Sequence, residues 1–94
     1  LSTQGTATVD FGSTGKTDAK VTVSGQAAFT AGTNLAEAWI NGVASANNTA
    51  DNHVFEEFHT PVITNQITGS GFDIILRVRR GLAFGIYNLA WVWN

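Results

Sequence analysis

The sequence has 94 residues, no cysteine, one proline and ten glycines, and only 13% of its residues are charged, against about 25% in an ordinary domain. That length fits one domain over 1–94. The lack of cysteine excludes a disulfide framework, a zinc ribbon and thiol chemistry, and a formal charge of −2 excludes broad electrostatic capture of nucleic acid or anionic lipid.

No apolar run approaches the ~20 residues that cross a bilayer, so membrane insertion is not expected. No charged n-region precedes an apolar h-region, so no signal peptide is expected either. Thr, Ala, Asn and Gly stand where an ordinary surface carries Lys and Glu. So little charge leaves little to hold copies of the chain apart. Small domains also gain stability from subunit contacts, so assembly into a homo-oligomer is expected.

Residues 6–11 alternate small or apolar side chains with polar ones, and Gly12 to Asp18 reads as a turn. Residues 19–24 alternate again, with Ala19, Val21 and Val23 on one face. The period of two predicts strands with one wet face, paired as a hairpin. Gly25 ends the second strand, residues 26–29 form a short extended piece, and Ala31-Gly32-Thr33-Asn34 is another turn signal. Residues 35–40 carry helix-favouring side chains, but six residues between turns fit a strand better.

Residues 41–52 lack apolar period and charge and predict a surface loop. Asn47-Asn48-Thr49 matches a glycosylation sequon but has no secretory context. Residues 61–67 form a strand with Pro61 at its start, where a missing donor is tolerated. Residues 68–71 form a tight turn. The next strand puts Phe72, Ile74, Leu76 and Val78 on one face, before Arg80-Gly81 breaks it. Residues 83–93 are extended and nearly all apolar or aromatic, which predicts a central strand with both faces covered. About seven short strands at this spacing predict an all-β fold, a compact antiparallel, jelly-roll-like sandwich.

Both histidines and three of the seven acids lie within residues 51–59. Imidazole and carboxylate are ligands for first-row metals. As a strand, this segment brings His53, Glu57 and His59 to one face around Phe55. As a helix, it puts His53 and Glu57 one turn apart and turns His59 away. Neither geometry gives a tight motif such as His-Glu-x-x-His, so these three residues are candidates and no metal site or cofactor is assigned. The plain alternative is a loop junction held by local hydrogen bonds.

Glu56 and Glu57, adjacent in a strand, point to opposite faces and cannot flank one glycosidic bond. No Gly-x-Ser-x-Gly elbow is present, and Gly12 to Lys16 lacks phosphate-loop spacing, so an enzyme is not expected. Arg77, Arg79 and Arg80 form the one basic cluster. With a negative net charge and no recognition motif, nucleic acid is not the expected partner. Ion pairs to Glu56, Glu57 or Asp73, within the chain or across an interface, are. Trp39, Trp91 and Trp93 offer rings for a sugar platform, although Trp91 and Trp93 lie in an apolar run that favours packing.

From residue 49 the elements follow in a recognisable order. Thr49-Ala50-Asp51-Asn52-His53 precedes Glu56-Glu57, Phe58 and Pro61-Val62-Ile63. Gly69-Ser70-Gly71-Phe72 then opens an alternating strand, and Tyr87-Asn88-Leu89-Ala90-Trp91-Val92-Trp93 closes the sequence. With Val9-Asp10-Phe11-Gly12 near the start, the chain resembles small phage and prophage virion-associated β-domains. The order of Pro61, Gly71-Phe72 and the final tryptophans is also similar to H-type lectins, six-stranded sandwiches that trimerise and bind sugars through loops. None of their sugar-binding residues is matched here.

What the resemblance implies is a virion structural protein (a capsid decoration, fibre or tail-associated β-sandwich) that packs as a homotrimer with other virion proteins. The lectin likeness implies, as the alternative, carbohydrate binding at a host-surface glycan. Arg77, Arg79, Tyr87, Trp91 and Trp93 are the expected interface residues.

Overall fold

Alternation of apolar and polar side chains decides which side of each strand meets the core. The computed structural model describes residues 2–94, with β1 (Thr3–Asp10), β2 (Asp18–Val23), β3 (Ala36–Ile40), the single helical turn α1 (Asn52–Phe55), β4 (Val62–Ile67), β5 (Gly71–Arg77) and β6 (Ile86–Trp93). They form two antiparallel three-stranded sheets, ordered β1-β6-β3 and β2-β5-β4. The two most apolar strands are the two middle ones. β5 turns Phe72, Ile74 and Leu76 inward, and β6 turns Tyr87, Leu89, Trp91 and Trp93 inward, all buried. Val9, Phe11, Val23, Phe29, Ala38, Val78 and Ala83 complete the core between the sheets.

Aromatic rings tie the two layers together. Phe72 of β5 meets Trp91 of β6 edge-on at 5.8 Å, and Phe29 lies 5.5 Å from both Phe72 and Trp93. The Trp93 indole N–H donates to Gln26 Oε1 at 3.0 Å, so the ring is buried without leaving its polar end unpaired. The Trp91 Nε1 is different: among the described residues it is the one buried side-chain nitrogen or oxygen without a partner.

Four expectations are corrected. β1 and β2 are not a hairpin: β1 pairs with β6 from Thr3↔Trp93 to Asp10↔Ile86, and β2 pairs with β5 in the other sheet. The intervening residues pair instead with the segment before β6, through Phe11 N to Gly85 O (2.8 Å) and Lys16 N to Ala83 O (3.1 Å), so the chain crosses between sheets rather than folding back. Residues 26–29 form a turn closed by Phe29 N to Gln26 O, which leaves six strands among the described residues. The last strand starts at Ile86, not 83. It is central in its sheet, but no second layer covers its outer side, where Ile86, Asn88, Ala90 and Val92 are half-buried.

The β4–β5 hairpin is where the sequence signal and the structure coincide. Gly69 takes a φ of 79° in the turn, and a bulge between Thr64 and Ile67 places Asn65 at a φ of 49°. An Asn tolerates that left-handed backbone better than most side chains.

Gly5 is a packing requirement. The Trp91 ring lies against its Cα, so a Cβ built there collides with the indole. Gly5→Ala therefore lowers stability by about 1–3 kcal/mol, as overpacking does. Gly42, with nothing within 4 Å of a built Cβ, accepts alanine with a change of about 0.5 kcal/mol or a small gain. Urea midpoints of the two variants measured side by side check this.

Candidate functional site at the loop end of the sandwich

β3 ends at Ile40, where Asn41 N still donates to Asn88 O at 2.9 Å, but β6 runs on to Ile86. Beyond that point β6 has no strand on its β3 side. Side chains from residues 45–53 supply the missing hydrogen bonds. Ile86 N donates to Asn47 Oδ1 (2.8 Å), Ile86 O accepts from Ser45 Oγ (2.7 Å) and Asn48 Nδ2 (2.9 Å), and Asn88 N donates to His53 Nε2 (2.9 Å). Asn88 Nδ2 in turn donates to Val43 O at 2.6 Å. Buried or half-buried backbone groups are seldom left unpaired, and here polar side chains stand in for a strand. The Asn47 amide is held against Gly85 by the same arrangement.

His53 closes this junction. It is 3% exposed, with Nδ1 against Thr49 O at 2.8 Å and Nε2 accepting from Asn88 N. Those two partners fix the neutral tautomer with the proton on Nδ1. Both ring nitrogens are occupied, so neither is free to bind a metal.

After α1 the chain becomes extended and adds to the far end of β5, through His59 N to Arg77 O (2.9 Å) and Arg79 N to Glu57 O (2.7 Å). The segment 53–59 is thus helical first and extended later, and His53, Glu57 and His59 do not meet. His53 is inside, while Glu57 and His59 are exposed. No group of three or more His, Cys, Asp or Glu able to hold a metal occurs among the described residues.

The junction positions a cleft of about 280 Å3 between α1 and residues 84–87, lined by Asn48, Asn52, Phe55, Glu56, Phe84 and Tyr87. Tyr87 forms the floor. Its ring is enclosed edge-on by Phe58 (4.8 Å), His53 (4.9 Å) and Phe11 (5.8 Å), leaving 3% of the residue exposed. Its hydroxyl has no hydrogen-bond partner among the described residues and opens onto the cleft. Burial, followed by the nearby Glu56 carboxylate, pushes the Tyr87 phenol above its ordinary pKa of 10.0. Phe55 and Phe84 form the rim and are 75% and 51% exposed. Sequence reasoning missed this site, because its residues come from three separate segments that a period-two reading does not connect.

The other expected site residues fall elsewhere. Tyr87, Trp91 and Trp93 are buried within the single chain, where their rings pack between the sheets. Trp39 alone of the tryptophans is open, 45% exposed on the outer face of the β1-β6-β3 sheet, beside Gln4, Thr6 and Ala90. Arg77, Arg79 and Arg80 are exposed, and no carboxylate lies within 4 Å of them among the described residues.

Asp73, one of the three expected arginine partners, is engaged from neighbouring strands instead. Thr22 Oγ1 donates to it at 2.6 Å, Asn65 Nδ2 at 2.8 Å, and Lys20 Nζ lies 3.7 Å away. The register explains the exchange: Thr22 and Thr64 flank Asp73 directly, whereas Arg77 lies opposite Asp18. The hydrogen bonds from Thr22 and Asn65, with the Lys20 charge, hold the Asp73 carboxyl below its ordinary value of 3.8 despite its burial.

No family model matches the chain, and no curated protein or solved structure matches it significantly.

Two outcomes follow from these contacts. His53→Ala strands the Asn88 N–H and the Thr49 carbonyl and costs about 2–4 kcal/mol, read as a lower urea midpoint and faster amide exchange at Asn88. Asp73 binds its proton less tightly folded than unfolded, so it stabilises the fold above the unfolded carboxylate pKa. That contribution disappears as pH falls through the depressed folded value. Thermal melts of Asp73→Asn between neutral pH and pH about 2 lose this part of the acid-side fall in stability, while the parent chain retains it.

Proposed function

We propose that this chain is a structural component of a bacteriophage particle, a decoration, fibre or tail-associated β-sandwich that works as a homo-oligomer rather than as an enzyme. The observation that carries the oligomer is the outer face of the β1-β6-β3 sheet. Its centre is Ala90 and Val92 of β6, flanked by Trp39 of β3, and by alternation its only charged side chains among the described residues are Glu37 and Asp10. Leu35 and Val43 continue the apolar exposure around β3. A sheet face so poor in charge fits burial against other copies of the chain. The particle setting, the virion location and a trimeric count are supported by the resemblance carried by residues 49–58, 69–72 and 87–93.

A second reading, carbohydrate binding, is favoured by one feature. The Trp39 indole lies open with the polar Gln4 and Thr6 side chains beside it, which suits stacking on the C–H face of a sugar. The two readings compete for the same ring.

Light scattering after gel filtration decides the first reading. The expected mass is three times the 10.0 kDa of one chain, and Trp39→Lys or Val92→Lys returns it to a monomer with unchanged circular dichroism. A parent chain that elutes as a monomer when concentrated overturns it. Glycan-array binding abolished by Trp39→Ala supports the second reading, and a silent array removes it.

A further inference from the structure

The cleft over Tyr87 has a chemistry that neither reading uses. Its free polar capacity is mostly acceptor. Both Asn48 amide protons are committed inward, to Phe84 O at 3.0 Å and Ile86 O at 2.9 Å, which fixes the flip of that amide. Its Oδ1 meets only the Asn52 amide, at a long 3.4 Å. Among the described residues, no donor reaches Asn52 Oδ1, and the Glu56 carboxylate has neither an ion pair nor a hydrogen bond. The Tyr87 hydroxyl has no hydrogen-bond partner among the described residues and borders the cleft, while the residue as a whole is buried. Two aromatic rims, Phe55 and Phe84, stack on no other ring among the described residues. Across Phe84 and Asn48, the adjoining depression adds the Asp10 side chain.

We propose that this cleft binds a primary alkylammonium group, the chemistry shared by a lysine side chain and an aliphatic diamine. An ammonium brings three donors and no acceptor, which matches Glu56, the amide oxygens of Asn48 and Asn52, and the Tyr87 oxygen. Its positive charge and methylene stem suit the faces of Phe55 and Phe84. At about 280 Å3 the cleft is smaller than the ~300–1,000 Å3 of a drug-sized site, so it takes a head group and a short stem. A quaternary ammonium lacks the donors, a neutral alcohol lacks the charge, and an anion meets Glu56.

The test is a titration of the 15N-labelled full chain with n-butylammonium chloride, followed by amide chemical shifts. Saturable shifts at Asn48, Asn52, Glu56 and Tyr87 with a millimolar Kd are expected. Glu56→Gln, which removes a carboxylate with no hydrogen bond or ion pair among the described residues, weakens binding about tenfold or more. Tyr87→Phe keeps the core ring and weakens it about threefold to tenfold. Matched titrations with Nα-acetyl-lysine methylamide and 1,5-diaminopentane assign the source by which of them saturates at the lower concentration. Equal shifts from 1-butanol, tetramethylammonium or methyl galactoside overturn the proposal. So does unchanged affinity in a folded Glu56→Gln, or the absence of saturable shifts.

Discussion

One edge of β6 is satisfied by side chains instead of by a strand, and the shape of the loop end follows from it. β3 is only five residues long and leaves the Ile86 backbone groups and the Asn88 N–H without a strand partner. Ser45, Asn47, Asn48 and His53 fill those positions one by one. Each bond is modest by itself, but an unpaired backbone group at this depth costs about 1–3 kcal/mol, so the set is enforced together. The polar composition of residues 41–52, which reads in isolation as an undemanding surface loop, is therefore a hydrogen-bonding inventory. It also sets α1 at a fixed height over the Tyr87 ring, which is how Phe55 and Glu56 come to border a cleft.

The two sheets present different outer faces. On β2-β5-β4 the middle strand carries Asp73 in a bracket of Thr22, Asn65 and Lys20, with a bulge at Asn65 that brings that amide into range. The carboxylate on this face is internally compensated, and Ile75 and the exposed Val62 lie beside it. On β1-β6-β3 the middle strand carries Ala90 and Val92, and the open aromatic is Trp39.

Strand content, the inward set Phe72, Ile74, Leu76 and Val78, the β4–β5 turn and the start of β4 after Pro61 were all legible in the sequence. Period-two patterning and turn chemistry are local properties, and they report local structure faithfully. Pairing was not legible. A hairpin between β1 and β2 is the economical reading of two neighbouring strands, yet the decisive contacts are those of residues 11–16 with 83–85, which no local pattern carries. The histidines show the same limit from another side. Spacing raises His53, Glu57 and His59 as a set, but a single helical turn followed by extended chain separates them. Tyr87 was legible as an important aromatic, though not as the floor of a cleft, because Glu56 and Phe84 reach it only through the three-dimensional path.

The pairing of β1 with β6 carries a consequence for how the molecule acquires its shape. Thr3 is opposite Trp93, so the first described strand cannot be zipped into its sheet until the last one is present. Only β4 and β5 are joined by a short turn, which makes that hairpin and the apolar side of β5 the natural nucleus. Everything else must close long loops before any contact rewards the closure, a topology whose folding falls on the order of milliseconds to seconds. A nascent chain in which β6 has not yet been made would expose β5's apolar side without the middle strand of the opposite layer. The aromatic load of β6 therefore acts as a late-arriving lid, and the order of synthesis becomes part of what the sequence encodes.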